Sequence, residues 1–229
     1  MSKKKIVVFT GAGISAESGL QTFRGSDGLW EGYRVEDVAT PEAWLHDPET
    51  VQRFYNIRRA ACQKALPNAG HLALVELEKY AEVHIITQNI DDLHERAGSK
   101  NILHLHGEIT KAQSSRDPRL IYPIEGDKIS LDDKCELGSP LRPHVVWFGE
   151  AVPNMSVASR IVEDADILLV VGTSLQVYPA ANLLHEVSRT CKVILIDPNA
   201  SAMGLNSNFE LINGPATIEL PKWVKGFAK

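Results

Sequence analysis

The sequence predicts an α/β fold: a mainly parallel sheet with helices on both faces, plus a small inserted domain. Three observations carry this. Residues 6–9, 83–87, 166–171 and 192–196 are short apolar, β-branched runs that read as strands buried on both faces. Stretches of helical periodicity separate them, and such alternation is the pattern of a parallel sheet. The strands run into glycines or small polar residues, at the edge where open α/β sheets place their ligands.

Size and charge narrow the class. With 229 residues, 44% hydrophobic and 23% charged, the chain can bury a core as a soluble globular protein. A net charge of −5 argues against non-specific nucleic-acid binding. The apolar run after Lys3-Lys4-Lys5 is too short for a signal peptide, and no stretch has the length of a membrane span. Cys62, Cys135 and Cys191 form no C-x-x-C pair and suit a reducing cytoplasm. A monomeric cytoplasmic protein with no membrane or nucleic-acid partner is expected.

The first strand opens into Gly11-Ala12-Gly13 and residues able to start a helix. Glycine lets the backbone approach a diphosphate, and free N–H groups with the helix dipole favour its charge. Gly11-x-Gly13-x-x-Ala16 fits the loose dinucleotide fingerprint, which an ordinary strand-to-helix turn also satisfies. A dehydrogenase unit needs a second strand and an acidic residue about 20 positions on. Here the helix stops at Ser18-Gly19, and a glycine-punctuated loop carrying Phe23 and Arg24 leads to Trp30, so hydride transfer is disfavoured. The run Gly-Ala-Gly-Ile-Ser-x-x-Ser-Gly-x-x-x-Phe-Arg closely resembles the NAD-binding loop of sirtuins, NAD-consuming protein deacylases. The resemblance implies NAD contacts at Gly11, Ala12, Gly13, Ser15, Glu17, Phe23, Arg24 and Trp30. Phe23 and Arg24 would shield the reactive ribose and bind phosphate.

A short helix is expected over 41–45 and a longer one from Pro48 to about residue 66, with proline in its first turn. Val51, Phe54, Tyr55, Arg58, Cys62 and Leu66 share a 3.6-residue stripe, while Arg53 and Arg59 point elsewhere. Arg58 either lays its stem on the core and lifts its head to water, or joins Tyr55 in gripping a carboxylate inside a pocket. A second helix covers 68–80. The strand at 83–87 then delivers Gln88, Asn89, Ile90 and Asp91, polar groups costly to bury without partners, so a polar pocket is expected. They resemble a second sirtuin motif, which implies that Asn89 and Asp91 face the nicotinamide and its ribose and Gln88 the ribose hydroxyls, with Ile90 alongside.

Alternation puts His104 and His106 on one side of an extended segment. A metal pair lacks carboxylate or thiol partners at ligand spacing, and a histidine bonding a backbone carbonyl is the simpler account. The sirtuin His-Gly motif implies that His106, followed by Gly107, is the general base. An ordinary pKa of about 6.5 suits that task. His104 is read as structural, and Asn89 joins His106 as a catalytic residue.

Residues 110–142 are rich in charge, serine and proline, with a possible strand at 120–122. Most sirtuins pin this module with four cysteines on zinc. Here only Cys135 remains, one thiol cannot make a tetrahedral site, and no zinc is expected. Residues 143–150 resemble the strand on which sirtuins dock the acyl-lysine peptide, with Val145, Phe148 and Gly149 as substrate contacts. A helix over 155–164, the strand ending in Gly172, Thr173 and Ser174, a helix over 179–189, and the strand ending in Asp197 and Asn199 complete the NAD side. The family usually carries Asn where Asp197 stands, and an acidic residue can still accept from ribose hydroxyls. Ala216 falls in the family's adenine-edge turn.

The resemblance therefore implies a Rossmann-like NAD-binding domain from residues 1–30, 67–108 and 143–229, and a small domain from 31–66 and 109–142. It implies NAD and an acyl-lysine protein as co-substrates. The acyl oxygen attacks the nicotinamide ribose as nicotinamide leaves, His106 deprotonates a ribose hydroxyl, and the acyl group ends on ADP-ribose. Tyr55-x-x-Arg58 resembles the mark of the class III branch, which removes succinyl and malonyl groups. A mono-ADP-ribosyltransferase and a non-catalytic NAD or acyl-peptide module are the alternatives. The intact His106, Asn89 and Asp91 set argues against the second.

Overall fold

The computed structural model describes residues 3–22, 30, 32–205 and 208–229. The first half runs β1 (Lys5–Thr10), α1 (Gly13–Ala16), α2 (Val35–Val38), α3 (Pro41–His46), α4 (Pro48–Lys64), α5 (Ala69–Leu77), β2 (Glu82–Thr87), α6 (Leu93–Ala97) and β3 (Ile102–His104). There follow β4 (Gly107–Ser114), β5 (Ile121–Pro123), β6 (Leu141–Val145), α7 (Met155–Glu163) and β7 (Ile167–Val171). A 3-10 helix (Ala180–His185), β8 (Lys192–Asp197), β9 (Glu210–Asn213) and α8 (Ala216–Phe227) close the chain.

The main sheet has the order β3-β2-β1-β7-β8-β9, and each neighbouring pair is parallel. Its strands read as continuous apolar runs because both faces are covered. Successive residues point to opposite faces: Ile6, Val8 and Leu169 pack on Leu74 and Leu77 of α5 and Leu220 of α8, while Val7, Phe9 and Leu168 pack on Val162 of α7 and Leu183. Each fully buried aliphatic side chain contributes about 1.5–3 kcal/mol. After β3 the chain crosses back past β1 to form β7 on its other side. That reversal opens a crevice beyond the carboxyl ends of β1 and β7, and loops from β1, β2, β7 and β8 all meet there.

The helix boundaries follow their caps. Thr40 accepts from the Ala43 N–H before α3, and Asp47 accepts from the Thr50 N–H with Pro48 next, so a second helix starts at once. Asn68 and His71 form a reciprocal capping box on α5. The helix expected over 179–189 is a 3-10 turn spanning Ala180–His185. Beyond it Val187, Ser188 and Thr190 are weak helix formers, and Ser188 bonds Thr190 instead.

Residues 107–145 carry a three-stranded antiparallel sheet, order β5-β4-β6. α4 holds it with side chains. Asn56 donates to the Ile129 carbonyl at 2.9 Å and accepts from the Ile129 N–H at 3.1 Å, and Gln52 donates to the Leu141 carbonyl at 3.2 Å. Arg59, off the apolar stripe in the sequence, is fully buried and donates to the Ile109 carbonyl at 2.7 Å and to Asn56 at 2.6 Å. It is enclosed because the inserted sheet covers that side of α4. Cys135 bonds the Ser114 hydroxyl at 3.2 Å, and among the described residues no group of three or more His, Cys, Asp or Glu side chains could hold a metal ion.

Candidate active site

The crevice is a cleft of about 920 Å³, at the upper end of small-molecule sites. Its floor is the contact between two glycine turns. Gly11 and Gly13 donate to the Val171 and Gly172 carbonyls at 3.1 and 2.8 Å. A Cβ on Gly13 would stand 2.7 Å from the Gly172 Cα, so only glycine permits this approach. This changes the expected anion cradle: both glycine N–H groups are spent on the end of β7, and α1 is a single turn. Among the described residues the Ala12 N–H keeps no partner and is left for an anionic ligand.

From β2 the polar run turns inward. Gln88 donates to the Thr173 hydroxyl at 2.9 Å, joining the β2 and β7 ends. Ser15 sits between Asn89, which donates to it at 3.1 Å, and Asp91, which accepts from it at 3.1 Å. All three are buried, and burial pushes the Asp91 carboxyl up, opposed by the Leu93 N–H and the Ser15 hydroxyl. Sequence reasoning missed His71 behind them. Its Nδ1 accepts from the Asn68 N–H, so Nε2 carries the proton and faces Ser15 at 3.5 Å. Burial drives His71 down to about 4 and keeps it neutral. The one available signal was a histidine three places after a helix cap.

His104 and His106 do not share surroundings, because β3 ends at His104 and the chain bends at Leu105 and His106 before β4. Gly107, with φ +82, makes the bend and lies so close to β6 that a Cβ would meet the His144 carbonyl. His104 turns into the protein, bonding the Asn89 carbonyl and the Glu95 carboxylate, each at 2.8 Å. His106 lines the cleft. Its Nδ1 lies 3.1 Å from the Gln88 carbonyl, which only accepts, so Nδ1 holds the proton and Nε2 presents a lone pair. Burial holds its pKa below the ordinary value.

On the far wall Tyr55 and Arg58 of α4 reach the same cleft. Arg58 is 6% exposed, lies 4.8 Å over the Trp30 ring and donates to the Gln21 carbonyl at 3.3 Å. The Tyr55 oxygen accepts from Trp147 Nε1 at 3.1 Å, and desolvation raises its pKa. Among the described residues its O–H proton has no acceptor. Trp147, unmarked in the sequence reading, is fixed by Arg142, which stacks 3.8 Å over its ring and pairs with Glu150 at 2.9 Å.

The cleft thus brings together Gly11, Ala12, Gly13, Ser15 and Trp30 with residues 88–91, His106, Gly172, Thr173 and Ser174. Asp197 and Asn199 line the far end, and Val145, Phe148 and Gly149 the wall beside Tyr55 and Arg58. Glu17 and Ala216 are not among its lining: Glu17 accepts from Thr217, and Ala216 starts α8 against α5. Phe23 and Arg24 lie outside the described residues. A dinucleotide fits this donor set, with an N–H at the glycine turn that has no partner among the described residues and carboxylate and amide acceptors at two further strand ends.

A model of the Sir2 family matches residues 11–179. An NAD-dependent protein deacylase of Aggregatibacter actinomycetemcomitans is 55% identical over 208 residues, 91% of this chain and 97% of that protein. A solved complex of a Sir2 homologue with NAD superposes with a TM-score of 0.89 at 41% identity, covering 99% of this chain and 90% of that one. A solved complex of Sir2 with a p53 peptide and NAD gives a TM-score of 0.81 at 28% identity, covering 99% and 94%.

Proposed function

The chain belongs to the Sir2 family and is an NAD-dependent protein deacylase, and we propose that it prefers lysines carrying acidic acyl groups, succinyl and malonyl, while also accepting acetyl. The products are nicotinamide and O-acyl-ADP-ribose. NAD, when bound, supplies the electrophilic ribose carbon and the leaving nicotinamide. The chain's own residues then have definite tasks. His106 takes a hydroxyl proton at Nε2, and its Nδ1–H bond to the Gln88 carbonyl holds the ring in that orientation. Asn89 and Asp91, linked through Ser15, offer polar groups to the nicotinamide ribose. Val145, Phe148 and Gly149 line the peptide side, a reading supported by the p53 peptide bound to the Sir2 relative.

The acyl preference rests on one observation: the Arg58 guanidinium and the buried Tyr55 phenol, whose O–H has no acceptor among the described residues, lie one helical turn apart in the lining of the cleft that holds His106. A carboxylate at the end of the acyl chain would accept from both through charge-assisted bonds. Losing one member of such a desolvated pair costs about 2–5 kcal/mol, and about 1.4 kcal/mol is tenfold. In a panel of acyl-lysine peptides with NAD, Arg58→Met should therefore lower kcat/KM for succinyl-lysine about 30-fold or more and leave acetyl-lysine little changed. Equal losses on both would return Arg58 to a packing role. Mass spectrometry of the same reactions separates O-acyl-ADP-ribose from an ADP-ribosylated acceptor.

A further inference from the structure

His104 lies outside the cleft, yet both of its ring nitrogens meet atoms of one kind. Nδ1 is 2.8 Å from the Asn89 carbonyl oxygen and Nε2 is 2.8 Å from Glu95 Oε1. A carbonyl and a carboxylate can only accept, so each nitrogen must carry a proton. The alternative puts that proton on Glu95, but the Glu95 side chain is 41% exposed, and although burial pushes its carboxyl up, the bond to His104 outweighs this and lowers its pKa. The ring therefore carries the charge. Its target is a cleft residue held on three sides. The Asn89 N–H donates to Thr87 Oγ1 at 3.0 Å, its carbonyl takes His104, and its side-chain amide donates to Ser15 at 3.1 Å. Among the described residues Asn89 Oδ1 has no partner, which leaves it for the ligand.

We propose that His104, held as an imidazolium by Glu95, is a positioning residue that fixes Asn89 for the NAD-cleaving step. The inference rests on the deacylase reading and deepens it. Deprotonation of His104 would set a bare lone pair against a carboxylate or against the Asn89 carbonyl, and one contact must break. Positioning is thus complete at neutral pH and lost as pH rises through the His104 pKa, giving the rate an alkaline limb. The groups that face the ring are consistent with a retained proton. Burial opposes the charge, but the bond to Glu95 on α6 outweighs it, and Glu108 on β4 and Asp91 also favour it. Lys111 pairs with Glu108 at 2.7 Å, and burial holds the His94 and His144 pKa values down.

Three variants separate positioning from packing. His104→Leu removes the donor and should lower the rate of nicotinamide release at saturating NAD about tenfold or more. His104→Asn puts an amide N–H where Nδ1 stands, and should recover most of that loss while abolishing the alkaline limb. Glu95→Gln lets a neutral His104 make both bonds, and should keep the neutral-pH rate while flattening the same limb. Nitrogen-15 spectra of the wild-type ring at pH 7 should show both nitrogens protonated. An Asn variant no better than Leu, or a neutral ring at pH 7, overturns the proposal. Should wild type release no nicotinamide with any acyl peptide, the deacylase reading falls instead. The proposal is then decided by the nitrogen-15 spectrum and by NAD affinity in calorimetry, expected to weaken in His104→Leu and recover in His104→Asn.

Discussion

The Gln88 carbonyl, an acceptor and nothing else, decides which nitrogen of His106 carries the proton. The exposed Nε2 lone pair is then ready as a base, and burial, which disfavours the charged ring, keeps it free of protons below the ordinary histidine range. His106→Ala should lower turnover by about 10²–10⁴ while NAD binding and the melting temperature stay near wild type. Turnover within about threefold of wild type would end the assignment. The His-Gly pair was legible in the sequence because glycine at 107 is demanded by a left-handed bend pressed against β6. The division of labour with His104 was not. Strict alternation treats the segment as one strand, whereas the bend sends the two rings to different partners.

At the scale of an element, α4 serves two sites at once. Its apolar stripe, readable from periodicity, carries Tyr55 and Arg58 to the cleft, and its polar face holds the inserted sheet through Gln52, Asn56 and Arg59. Those bonds, with Cys135 on Ser114, hold the segment, and no metal-ligand group of three or more side chains stands among the described residues. EDTA should accordingly change neither melting temperature nor rate, and elemental analysis giving about one zinc per chain would contradict this. The turn after β6 acts on α4 in return. Trp147, clamped by Arg142 and Glu150, donates to the Tyr55 oxygen and so aims the phenolic proton away from itself. Trp147→Phe keeps the ring and loses the N–H. It should reduce desuccinylation several-fold, about the worth of one neutral hydrogen bond, with deacetylation little affected. A parallel fall in both rates would point to general loosening of the turn.

Across the whole molecule, several histidines are buried in neutral form. Burial lowers His71 to about 4, places His94 well below its ordinary value, and also depresses His106 and His144. The unfolded chain takes up those protons near pH 6.5 and the folded chain does not, so stability falls as pH drops through that window. His71 alone accounts for about 3 kcal/mol by pH 4. His104 has the opposite sign: its raised pKa adds stability below the unfolded value and loses it as pH rises. Urea midpoints measured from pH 7.5 down to 4.5 should therefore decline steadily below about pH 6.5, and a flat profile would show that these rings are already protonated in the fold. The sequence by itself determined the parallel sheet, its strand ends and the family. Buried strands must be written as apolar runs, and positions 11, 13 and 172 leave no room for a side chain. Only the tertiary structure decided that Arg59 of α4 is enclosed, which histidine faces the cleft, and where the glycine N–H groups are spent. Each of those depends on a partner distant in the chain, Ile109 for Arg59, Gln88 for His106 and Gly172 for Gly13, and local periodicity carries no information about a neighbour that arrives from another strand.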